Sequence, residues 1–126
     1  MKLDLLPCMT SEQLTQLREL GITSCRHLAR VGQRPERLET LARDAELSPH
    51  FLRDMVHLAE LSEIRGVGPA MLAHLLEVGV DSPARMGSLD PVTLQNRLRK
   101  VASPPPNLAV IESWISQARR RGRRRP

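Results

Sequence analysis

The sequence predicts an all-α chain of two tandem four-helix repeats packed as one compact unit, and three observations predict it. The composition favours helix. Of 126 residues 40% are apolar, enough for a core, yet there is one Phe, one Trp and no Tyr. Leu, Ala, Val, Ile and Met must fill that core, whereas strands favour aromatic and β-branched residues. No segment alternates polar and apolar residues with a period of two, so no sheet is expected. The chain also matches itself at a shift of 58, with cap-like residues standing before several of its prolines.

The self-match joins "LPCMTSEQLTQLRELGITSCRHL" from Leu6 to "IRGVGPAMLAHLLEVGVDSPARM" from Ile64. Leu17 meets Leu75, Gly21 meets Gly79, Ile22 meets Val80 and Ser24 meets Ser82. At a shift of 59, Leu52, Met55, Val56 and Ala59 meet Ile111, Trp114, Ile115 and Ala118. Coincidence of a glycine and a cap serine, beyond leucines, marks a duplication. The organisation read from it is a first repeat at 1–62, a second at 63–118 and a basic tail at 119–126.

The elements follow from local punctuation. Ser48-Pro49, Ser82-Pro83 and Asp90-Pro91 each set a capping side chain before a proline at the first helical position, where a missing N–H costs nothing. Gly21 and Gly79 suit the left-handed residue that ends a helix. Helices are expected at 11–20, 24–31, 35–45 and 49–61, then at 69–78, 83–88, 91–101 and 106–121. "ASPPPN" at 102–107 is read as a stiff connector inside the second repeat.

Charge is unevenly placed. The formal net charge is +5, but Arg119, Arg120, Arg121, Arg123, Arg124 and Arg125 crowd the last eight residues. Setting these six aside leaves residues 1–118 at −1. A nucleic-acid-binding domain usually carries a basic stripe on its folded face, and the sequence shows no clear one. The tail reads either as a disordered solubilising end or as a strong local anion site for nucleic acid, acidic protein or anionic lipid. Six phosphate contacts would give a salt slope of about −5. Gly122 is expected to break the last helix.

Gly66-Val67-Gly68-Pro69 has a clear chemical use. Two glycines permit a tight reversal with positive φ and leave the backbone bare. The helix opening at Pro69 then presents free N–H groups and its positive dipole end to an anion. Val67 is expected to plug into the core. This stretch resembles the helix-hairpin-helix motif of DNA repair and recombination proteins, which holds a phosphate without reading sequence. "VHLAELSEIRGVG", "LLEVGVDS" and "IESWISQARR" resemble a bacterial family of tandem helix-hairpin-helix-like domains over residues 1–121. That resemblance implies an all-helical fold and no particular activity. Against the motif, Leu72 stands where alanine is usual and Ala70 where lysine often meets the phosphate. The first repeat has Pro7-Cys8-Met9-Thr10 in place of Arg65-Gly66-Val67-Gly68, so its amide cradle is expected to be lost. Glu60, Glu63 and Glu77 would oppose a phosphate and Arg65 would favour it. The competing reading is a turn that serves only packing.

The remaining candidates are weak. Cys25 and His27 form C-x-H with no second ligand pair, and Cys25, at a helix start before Arg26, is expected to be somewhat acidic. Cys8 and Cys25 suit neither a disulfide framework nor a zinc ribbon. His50, His57 and His74 stand singly. No catalytic motif is found, so no enzyme activity, cofactor or metal is expected. No apolar run approaches the ~20 residues of a membrane span, and no signal peptide is evident, so a cytoplasmic protein is expected. The functional expectation is sequence-independent nucleic-acid binding, DNA before RNA, through Arg65–Pro69 and the six tail arginines. The alternative is an interaction module whose tail meets an acidic protein. Oligomeric state is not readable.

Overall fold

A computed structural model describes the backbone of residues 1–123 and the side chains as far as Arg121. Among the described residues it is all-helical: α1 (Ser11–Glu19), α2 (Cys25–Val31), α3 (Pro35–Asp44), α4 (Pro49–Ser62), α5 (Pro69–Glu77), α6 (Pro83–Gly87), α7 (Pro91–Leu98) and α8 (Leu108–Arg123). The chain divides into two compact units, Met1–Glu63 and Ile64–Pro126, each with four of these helices. In the first unit α2 and α3 rest on α4, and in the second α6 and α7 rest on α8.

Helix starts are set by the residues the sequence offers. The side chains of Thr10, Ser24, Ser48, Ser82, Asp90 and Asn107 accept from backbone N–H groups at the starts of α1, α2, α4, α6, α7 and α8. Two hydrogen bonds from Thr93, one from its hydroxyl and one from its amide, hold the Asp90 carboxyl below its ordinary range. Gly21 and Gly79 have φ of +86° and +87°, where a side chain would be strained.

Each unit has its own apolar core. Leu17, Leu28, Leu52, Met55 and Val56 are buried in the first, and Leu75, Met86, Ile111, Trp114 and Ile115 in the second. A fully buried side chain of this size contributes about 1.5–3 kcal/mol. Leu14 is half-buried where Leu72 is fully buried.

Several boundaries differ from expectation. A 3-10 turn at Leu3–Leu5 buries Leu3 completely, and a single bridge joins Lys2 to Ser24. That bridge is one residue long, with Cys25 N–H donating to Met1 O at 3.1 Å, and no strand grows from it among the described residues. Helix α7 ends at Leu98, three residues early. Gly122 does not break α8, which runs to Arg123. A glycine costs about 1 kcal/mol inside a helix and does not forbid it.

Candidate nucleic-acid interface

The turn before α5 is built by two glycines with different tasks. Gly66 has φ of +98°, and a methyl group added to it would lie 2.7 Å from Trp114 Nε1. It is glycine for its dihedral and for the indole against it. Gly68 has ordinary extended dihedrals, φ −92° and ψ −177°, and nothing lies within 4 Å of where its side chain would be. The expectation of positive φ therefore holds at Gly66 and fails at Gly68. Val67 between them is buried at 5% exposure.

Bare amides follow from this geometry. Gly68 is the N-cap of α5 and has no side chain to donate to, while Pro69 has no N–H. Leu72 N–H is the first to find a carbonyl, that of Gly68 at 2.9 Å. Among the described residues the amides of Ala70 and Met71 have no acceptor within the protein. Helix α3 also lacks a side-chain cap but carries Glu36 in its first turn, whereas α5 has no acid there. Among the described helices α5 alone has neither device, so its positive end is uncompensated.

The turn before α1 has the same kink and the opposite ending. Cys8 has φ of +68°, a left-handed value that a non-glycine residue adopts at a cost. Thr10 then closes the helix end: its hydroxyl accepts from Gln13 N–H at 3.1 Å, and Thr10 N–H donates to Gln13 Oε1 at 2.9 Å. This reciprocal cap satisfies the third amide of the helix and that of Thr10 itself from within.

The α5 turn is fastened to α8. Arg65 N–H donates to Gln117 Oε1 at 3.0 Å, and Gln117 Nε2 donates to Ser113 Oγ at 3.2 Å. Trp114, 2% exposed, meets Gly66 one turn earlier on the same face, and its Nε1 has no partner among the described residues. Arg121 lies four residues beyond Gln117, about 6 Å along the helix. The hairpin and the first arginines, separate features in the sequence, thus share one end of α8.

The arginines are not equivalent. Arg119 Nε donates to Gly87 O at 2.9 Å, capping the carbonyl end of α6, so it has a structural task. Arg120 is exposed and Arg121 half-buried. The Arg123 side chain and all of Arg124 and Arg125 lie outside the described residues. Glu77, expected to oppose a phosphate, is the last residue of α5, about 12 Å along the helix from its first.

Gln117 escaped the sequence reading, though a signal existed. At the shift of 59 it stands opposite Leu58, a buried residue. A polar residue at the position that a buried leucine holds in the first unit marks a specific partner.

The other candidates do not converge. Cys25 is 1% exposed, and burial pushes its thiol above the ordinary range, the reverse of the expected acidity. His50 is paired with Asp54 at 3.7 Å on the surface, and His74 is half-buried on α5. Among the described residues no three His, Cys, Asp or Glu side chains cluster as metal ligands, and no helix is long and apolar enough to cross a membrane.

A family model described as Domain of unknown function (DUF4332) matches residues 7–121. No curated protein and no solved structure matches the chain.

Proposed function

This chain belongs to the DUF4332 family, and we propose that it binds nucleic acid without sequence preference, using the N-terminus of α5 for one phosphate and the arginines of α8 for others. The two units are, on this reading, tandem copies of one helix-hairpin-helix repeat. Equal φ at Gly21 and Gly79, left-handed φ at both Cys8 and Gly66, and the order of the helices support the duplication.

The observation that carries the functional reading is the contrast between the two turns. Thr10 takes the third amide of α1, that of Gln13, whereas the matching amide of α5, that of Met71, and its neighbour Ala70 N–H find no acceptor among the described residues, in a turn that Arg65 N–H ties to Gln117 of α8. Open helix amides with a dipole behind them suit a phosphate oxygen. One such contact carries no sequence information, and arginines on the backbone carry none either.

Charge suits a polyanion, and the excess is that of the six tail arginines. The second unit has eleven Lys and Arg against four Asp and Glu, a net +7, while the first stands at −2. The test replaces Arg120, Arg123, Arg124 and Arg125 by glutamine in the full chain and leaves Arg119 on Gly87. Affinity for mixed-sequence duplex DNA is then followed against salt. The slope of log affinity on log salt should flatten by up to about 3.5 units. An unchanged slope would remove these four arginines from the interface. Failure of the unaltered protein to bind duplex or single-stranded DNA or RNA would defeat the reading and leave an acidic protein as the tail's partner.

A further inference from the structure

We propose that the outer face of α2 and the turn that follows it form a second nucleic-acid contact, in which Arg26, Arg30 and Arg34 each neutralise a phosphate of one backbone. It rests on the nucleic-acid reading above but uses different residues in a different unit.

Helix α2 buries Cys25, Leu28 and Ala29, which turns Arg26, His27 and Arg30 outward. Arg26 and Arg30 are four residues apart, so they stand on one side of the helix about 6 Å from each other along its axis. Arg34, exposed, follows four residues later as the N-cap of α3. From Leu20 to Pro35 the chain contains no Asp or Glu. Among the described residues none of the three arginine side chains makes an ion pair or a hydrogen bond, whereas Arg18 meets Asp4 at 3.8 Å.

The corresponding helix of the second unit is different. Helix α6 carries one arginine, Arg85, tied to Asp81 at 3.1 Å. The units therefore divide the features between them: the first has a closed turn and an unpaired arginine row, the second an open turn and a neutralised helix. Glu36 and Asp44 line a groove of about 440 Å³ on the α3 side of α2, together with His27 and Val31, and the charges of Glu63 and Asp4 act on Cys25 at the start of α2. Arg26 and Arg30 do not line that groove.

Spacing and chemistry favour a phosphodiester backbone. A step of about 6 Å along the helix lets neighbouring arginines meet separate phosphates of one strand. Arginine presents a planar fork of donors suited to phosphate oxygens. A protein partner would call for an aromatic or aliphatic anchor, and the row has no exposed large apolar residue.

The test compares the full chain with Arg26→Gln/Arg30→Gln/Arg34→Gln and with a control of equal charge loss, Arg37→Gln/Arg43→Gln/Arg53→Gln. Anisotropy on mixed-sequence duplex DNA is measured against salt, and melting is checked for all three proteins. The first variant should melt as the parent does and flatten the salt slope by up to about 2.7 units, with the control close to the parent. An equal flattening in the control would overturn the assignment, because net charge alone would then explain the loss. An unchanged slope in the first variant, with the parent still binding, overturns this inference and leaves the α5 site standing. No DNA binding by the parent overturns both. Loss of binding to polyglutamate with DNA binding intact would overturn it in favour of an acidic protein surface.

Discussion

At the residue scale the hairpin glycines separate two questions that the sequence ran together. Gly66 is architectural, since it combines φ of +98° with an indole 2.7 Å from any added methyl. Gly66→Ala should lower stability by about 2 kcal/mol or more, through left-handed strain and displacement of Trp114. Thermal or denaturant unfolding reads this directly, and stability within about 0.5 kcal/mol of the parent would contradict it. Gly68 has no such duty, so a side chain there meets neither strain nor clash. The sequence showed two glycines flanking a core valine, but a one-letter glycine does not carry its dihedral. Nor could it show that Gln117 reaches Arg65, 52 residues away, because that contact exists only once α8 lies beside the turn. At the same scale Cys25 went wrong: a thiol at a helix start reads as acidic, and its burial is a property of the packed unit.

At the element scale most of the molecule was legible, because helix starts depend on local chemistry. Ser24, Ser48, Ser82 and Asp90 cap helices where the sequence put them. Helix ends and short turns were less so: the 3-10 turn at Leu3–Leu5 has too few residues to show a period, and Gly122 lies inside α8. Packing between elements adds a constraint of its own. Gly32, at the end of α2, has φ of −67°, which any residue adopts, yet a methyl there would lie 2.2 Å from Val56 Cγ1 on α4. Gly32→Ala should therefore push α2 off α4 and cost about 1–3 kcal/mol, as overpacking does. Adding Val56→Ala should recover part of that loss, since the obstructing methyls are gone. A double variant no more stable than the sum of the single losses would show that the contact is not the cause.

At the scale of the whole molecule, charge and capping point the same way. The basic excess lies in the second unit, which also leaves a helix end uncapped, while the first unit caps its turn and carries exposed arginines on α2 and just after it. On the proposed reading both features act on a polyanion, so affinity should fall steeply with salt and vary little with base sequence. The central claim is that the α5 amides are open in order to take a phosphate. It is tested most directly by Gly68→Thr, which copies into the second unit the cap that Thr10 provides in the first. The dihedrals of Gly68 suit an N-cap and the space is empty, so the hydroxyl can accept from Met71 N–H. Affinity for mixed-sequence duplex DNA and melting temperature should be measured on the same samples. The predicted result is a melting temperature equal to or above that of the parent, with DNA binding weakened about tenfold, the loss of one contact of ~1.4 kcal/mol. Equal affinity in a Gly68→Thr protein that is at least as stable would contradict the claim and leave the hairpin with packing as its only task.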